Sequence, residues 1–75
     1  MPRIHWLGTG LSSIPGLKKL LKKKYDVFVW NRTLEKAQSI LGDLTNNICK
    51  FDLNELENEI IAGDIIISML PASHH

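Results

Sequence analysis

Ile4-His5-Trp6-Leu7-Gly8-Thr9-Gly10 decides how the rest of the chain is read. A short, mostly apolar run breaks straight into Gly-x-Gly. A helical period then begins at once, with Leu11, Ile14, Leu17, Leu20 and Leu21 on one face. The first glycine lets the chain turn sharply. The second lets a backbone come close to a pyrophosphate with no Cβ in the way. The phosphate would then sit on free N–H groups at the helix N-terminus. Ser13 stands where a third glycine is usual, and serine is small enough for close helix–strand packing. Ser12 or Ser13 can cap the helix, and Pro15 falls in its first turn, where a missing N–H does no harm.

Outward from this turn, strand and helix patterns alternate. Val27-Phe28-Val29-Trp30 is an unbroken apolar, β-branched and aromatic run, as expected of a strand buried on both faces. Asn31-Arg32-Thr33 follows, with Thr33 as the expected cap of a helix carrying Leu34, Ala37, Ile40 and Leu41 and ending at Gly42. Ile48 to Phe51 reads as a weaker third strand. Asp52-Leu53-Asn54-Glu55 has the spacing of a capping box, and the helix it opens is expected to stop at Gly63. Asp64 to Leu70 is the clearest strand, closed by Pro71. The order β-α-β-α-β-α-β predicts an α/β fold: a Rossmann-type parallel sheet in strand order 3-2-1-4, the first part of a doubly wound domain. Residues 1–75 are thus expected to be the N-terminal portion of an NAD(P)-binding domain, with a substrate domain further along a longer protein.

Bulk composition narrows the partners. The chain has 75 residues, fewer than the ~100–150 of a common domain. With 44% hydrophobic and 23% charged residues it is globular in type. Nine Lys and Arg against eight Asp and Glu give no bulk case for nucleic acid. A single cysteine excludes an internal disulfide and fits a reducing, cytoplasmic setting. No apolar run reaches the ~20 residues of a membrane span, and no signal peptide is visible. No Cys/His set suggests a metal. Cys49, His5, Trp6 and Trp30 read as packing residues, and Lys18, Lys19, Lys22, Lys23 and Lys24 as a solvated helix end.

Two further stretches carry chemistry. An enzyme that prefers NAD usually has Asp or Glu at the end of the second strand, accepting from the adenosine ribose. Asn31 removes that charge, Arg32 offers a fork of donors to a phosphate, and Thr33 adds a hydroxyl. The three suit a 2′-phosphate, so the expected cofactor is NADP(H). The carboxyl end of the fourth strand, Ser68 to His75, lies where a nicotinamide ribose belongs, with Pro71 rigidifying its exit and His74 or His75 within reach of cofactor or substrate.

Gly8-x-Gly10 with Pro15 five residues later, Arg32-Thr33-Leu34 with Ala37-Gln38, and Asp64-Ile65-Ile66-Ile67-Ser68 with Pro71 and His75 together resemble the glutamate-forming saccharopine dehydrogenases. The resemblance runs along nearly the whole chain. It implies an NADP(H)-linked oxidoreductase of lysine metabolism that interconverts saccharopine with glutamate and 2-aminoadipate semialdehyde by hydride transfer at a C–N bond. It implies pyrophosphate contacts from Gly8, Gly10, Leu11 and Ser12. Arg32 and Thr33 beside Asn31 would hold the 2′-phosphate, and Asp52 would flank the adenine. Leu70, Pro71 and His75 would line the nicotinamide end. Its substrate domain and dimer contacts lie beyond these residues, so the expected partners are an amino-acid substrate and a second subunit, with neither nucleic acid nor membrane. Carboxynorspermidine-type and β-hydroxyacid dehydrogenases share parts of the pattern, although the latter usually carry Gly-x-Gly-x-Met-Gly. A nucleotide-sensing module without chemistry shares the glycine loop but more often has an acidic residue where Asn31 stands.

Overall fold

The computed structural model describes residues 2–69; Leu70, Pro71, His74 and His75 lie outside the described residues. Four strands form one all-parallel sheet in the order β3-β2-β1-β4, as the alternation predicts. They are β1 (Ile4–Leu7), β2 (Val27–Asn31), β3 (Ile48–Lys50) and β4 (Ile65–Ser68). The helices are α1 (Ile14–Lys22), α2 (Leu34–Leu41) and α3 (Leu53–Glu59), and a 3-10 turn, Leu11–Ser13, leads into α1. None of these helices is long and apolar enough to cross a membrane.

The period of two in each strand divides the sheet into two faces. Ile4, Trp6, Val27 and Val29 point to one side, where Leu17 of α1 and Leu41 of α2 cover them. Leu7 and Trp30 point to the other, against Leu56 of α3, with Phe28, Cys49 and Phe51 beside them. Leu17, Val29, Ala37 and Leu41 are wholly buried. Each buried Val or Leu contributes roughly 1.5–3 kcal/mol relative to exposure. β1 and β2 are buried on both faces, which is why β2 reads as a continuous apolar run. β4 is different. It is an apolar strand as well, yet Ile65 and Ile66 are exposed, and among the described residues β4 lies at the edge of the sheet.

Several local expectations change in detail. Phe51 falls outside β3, and α3 stops at Glu59, so Gly63 serves the turn into β4 at φ +95° instead of ending the helix. Asp52 caps α3 as predicted, its side chain accepting from the N–H groups of Asn54 and Glu55. Neither Ser13 nor Thr33 makes a side-chain cap bond. The end of α1 is a Schellman turn: Tyr25 N–H donates to Leu20 O and Lys24 N–H to Leu21 O. That turn puts Lys24 at φ 64°, where glycine is the usual residue. Lys24→Gly is therefore expected to stabilise the fold by about 1 kcal/mol. Urea denaturation checks this, and an unchanged or lower midpoint would contradict it.

Candidate functional site

The carboxyl ends of β1, β2 and β4 open on one cleft of about 320 Å³, lined by Gly8, Thr9, Gly10, Asn31, Arg32, Thr33, Lys36 and Met69. A crevice at the carboxyl edge, between the strands where the order reverses, is where open α/β sheets take ligands. The sequence motifs of the first and second strands therefore meet in space.

The two glycines have different reasons to be glycine. Gly8 sits at φ +96°, which side chains avoid, and its N–H donates to Trp30 O at 2.7 Å. Its role is conformational. Gly10 has ordinary extended dihedrals, and a Cβ built on it would meet nothing within 4 Å among the described residues. What the missing side chain leaves is free space in the cleft, as a bound pyrophosphate needs. Ser13 folds back on this loop, donating from Oγ to Gly10 O at 2.8 Å and from its N–H to the same oxygen at 2.9 Å. The Gly10 carbonyl is thereby tied to the helix start. Gly16 is less demanding than its sequence position suggests, since a Cβ there would touch the Trp6 ring at an ordinary 3.8 Å. Thr9 is buried, and its hydroxyl has no hydrogen-bond partner among the described residues. A buried oxygen without a partner among the described residues, in the wall of a cleft with a glycine cradle, fits a polar, phosphate-bearing ligand.

At the end of β2, Asn31 is buried, and its Nδ2 donates to Thr33 O at 2.9 Å. Asn31 therefore braces the turn into α2 and leaves the exposed side chains of Arg32 and Thr33 to face the cleft. Neither Arg32 nor Lys36 makes an ion pair among the described residues. Lys36 is absent from the sequence-based site. The signal was there: a helix beginning at Leu34 tilts its side chains back toward its N-terminus, so its third residue overhangs the Arg32-Thr33 turn. Ser12 is exposed but outside the cleft lining, Leu11 contributes the 3-10 turn, and Asp52 is committed to capping α3 and does not line the cleft. Leu70, Pro71 and His75 fall outside the described residues, and Met69 is the last lining residue before them.

A second polar cluster lies inside the fold, near the amino ends of β1 and β4. His5 is completely buried and stacks on Phe28. Trp30 Nε1 donates to His5 Nδ1 at 3.1 Å, which leaves the His5 proton on Nε2, 2.9 Å from Asp64 Oδ2. Asp64 Oδ2 also accepts from Arg3 Nη2 at 3.0 Å and from Ile61 N–H at 3.1 Å. Arg3 additionally donates to Glu59 O and lies over the Phe28 ring. The hydrogen bond from Arg3 is the main cause holding the Asp64 carboxyl well below its usual range, with those from Ile61 N–H and His5 adding to it against the opposing effect of burial. One carboxylate thus joins β1 to the turn into β4; through Arg3 it reaches Glu59 of α3, and through His5 it reaches β2. His5 was expected to be a packing residue, and it packs with both ring nitrogens bonded. Cys49 is only half-buried, and burial together with the Glu59 charge pushes its thiol pKa up, away from nucleophilic character.

Comparison with known proteins bears on this geometry. The family profile described as "Shikimate / quinate 5-dehydrogenase" matches residues 2–75. A glutamyl-tRNA reductase of Methanosphaera stadtmanae is 36% identical over 69 residues, covering 91% of this chain and 17% of that protein. A glutamyl-tRNA reductase of Thermosipho melanesiensis is 29% identical over 73 residues, covering 97% of this chain and 20% of that protein. The chain spans no more than a fifth of the length of these relatives. No solved structure gives a significant match. Of the expected saccharopine dehydrogenase identity, only the coarser part is supported, a Rossmann-type dehydrogenase domain, while the matching relatives are of another kind. Fold, cleft and profile agree: the chain belongs to the shikimate / quinate 5-dehydrogenase family and is a nicotinamide-dinucleotide-binding domain of dehydrogenase type.

Proposed function

We propose that this chain binds NADP(H) and forms the dinucleotide-binding portion of a longer reductase. The observation that carries the reading is that Arg32 and Lys36 both line the cleft, two cations without ion-pair partners among the described residues, where an NAD-selective site would hold a carboxylate. Bound NADPH would supply a hydride from its nicotinamide ring. The chain's own groups would bind and orient it. Gly8 and Gly10 would admit the pyrophosphate to the start of the helix, and the Thr9 hydroxyl would gain a partner. Arg32, Thr33 and Lys36 would take the 2′-phosphate on the turn braced by Asn31. Met69 would give an apolar wall toward the nicotinamide end, where Leu70, Pro71 and His75 follow in sequence.

The names of the two relatives suggest glutamyl-tRNA as the substrate reduced by the whole protein. The saccharopine reading shares the same cofactor half, but its C–N substrate has no support among these relatives. Calorimetric titration of the chain with NADPH and with NADH tests the cofactor assignment. NADPH is expected to bind at least about ten-fold more tightly, the worth of one charge-assisted contact. Equal affinities would refute the 2′-phosphate site, and no binding of either would refute the cleft itself.

A further inference from the structure

The net charge of +1 conceals a strong segregation. Residues 11–24 hold five of the nine cations and no carboxylate. On the other side of the sheet, Asp52, Glu55, Glu57 and Glu59 give α3 four carboxylates and no cation. α1 covers the face with Leu17, and α3 covers the opposite face with Leu56. α1 and its last turn are therefore positive as far as the exposed Asp26, and α3 is negative.

None of the five lysines makes an ion pair among the described residues. Lys18 and Lys22, and Lys19 and Lys23, stand one turn apart, so like charges repel along the helix. The helix C-terminus offsets part of this repulsion, but five cations exceed what one helix end attracts. Four of them, Lys18, Lys19, Lys22 and Lys23, line an open groove of about 530 Å³ that also has Ile14 and Pro15 in its wall. Tyr25, which follows Lys24 in sequence, is 40% exposed. A track of lysines without ion pairs among the described residues, followed by an exposed aromatic residue, matches the chemistry of a single-stranded nucleic acid: phosphates for the cations and a base face for the ring. The acidic side repels such a strand and so orients it onto α1.

We propose that the outer face of α1 and the turn after it bind a single strand of nucleic acid through Lys19, Lys22, Lys23 and Lys24, with a base stacked on Tyr25. The surface lies at the end of α1 away from the glycine loop, about 14 Å along the helix. It rests on the lysine face alone and is independent of the cofactor assignment.

The test is fluorescence anisotropy of labelled oligo(U) and, separately, oligo(dT), over a range of salt concentrations. The two strands decide between RNA and DNA as the source of the phosphates. Binding is expected at low salt, with affinity falling linearly in log–log form as counterions return. The K19Q/K22Q/K23Q variant is expected to lower that slope by about 2, roughly 0.7 for each lysine. Tyr25→Ala is expected to weaken binding roughly five- to a hundred-fold and leave the slope unchanged. Circular dichroism and NADPH titration of the variants show that fold and cleft survive, since the altered side chains are exposed and lie outside the cleft. Absence of binding at low salt would overturn the proposal, as would an unchanged slope in the triple variant. Equally tight binding of polyglutamate would overturn it by showing charge attraction alone. Salt-sensitive self-association in light scattering, lost in the triple variant, would overturn it in favour of the acidic α3 of a second copy.

Discussion

The R32A/K36A double variant is expected to bind NADPH roughly a hundred-fold more weakly than the unaltered chain and to bind NADH about as before. Hydrogen bonds to charged groups contribute about 1.5–3 kcal/mol each, and both side chains are exposed, so the low end of that range applies. Two such contacts acting on one phosphate give the hundred-fold. The selectivity arises because NADH has no group for these cations to hold. Exposed pairs are screened, so the NADPH advantage should also shrink as salt rises. Parallel titrations with both cofactors check the claim. An equal loss for both would place Arg32 and Lys36 in general binding, and no loss for either would remove them from the site. Arg32→Lys is informative as well. It keeps the charge but loses the planar fork, and is expected to fall between the two.

Asp64→Asn is expected to lower the melting temperature more than any exposed carboxylate variant, such as Glu57→Gln. The substituted amide would present a donor to Arg3, His5 or Ile61 N–H, each of which already donates to this site. The same carboxylate governs the acid limb of stability. Its pKa in the folded state is depressed, chiefly by Arg3. Its contribution is therefore complete above the unfolded carboxyl value of about 4, and it is lost as pH falls below that toward the folded value. The variant should be less stable than the parent at pH 7, and the two melting curves should converge in acid. Thermal melts across an acidic pH series would show this, and a constant gap at all pH values would contradict it.

The sheet was legible because each β1 and β2 residue reports its own burial. An apolar run flanked by Gly8 or Asn31 can only be an interior strand once helical periods stand on either side. The Gly8 and Asn31-Arg32-Thr33 parts of the cleft were legible because they stand at strand ends, where the order of elements dictates position. Lys36 was not, since it belongs to the cleft through the tilt of a helical side chain. The bonding of His5 could not be read either. Its partners Trp30 and Asp64 are 25 and 59 residues away, and only the parallel register brings them together. Lys24 misled in another way, because a lysine gives no sign of the left-handed turn it occupies. β4 shows the limit of hydropathy: Ile65 and Ile66 read as core, but burial depends on what covers a strand as well as on its composition.

The register of β1 also has a consequence for the order of events during synthesis. Ile4 lies beside Val27 on one flank and beside Ile65 on the other. The first partner follows after one helix, while the second is separated by most of the chain. At about 5–20 residues per second, several seconds pass between the appearance of the two flanks. Through that interval β1 has one row of backbone groups without its final partner, and Arg3 and His5 lack their carboxylate. β1 is thus made before both of its partners in the described sheet, and β4, arriving with Asp64, supplies its second flank.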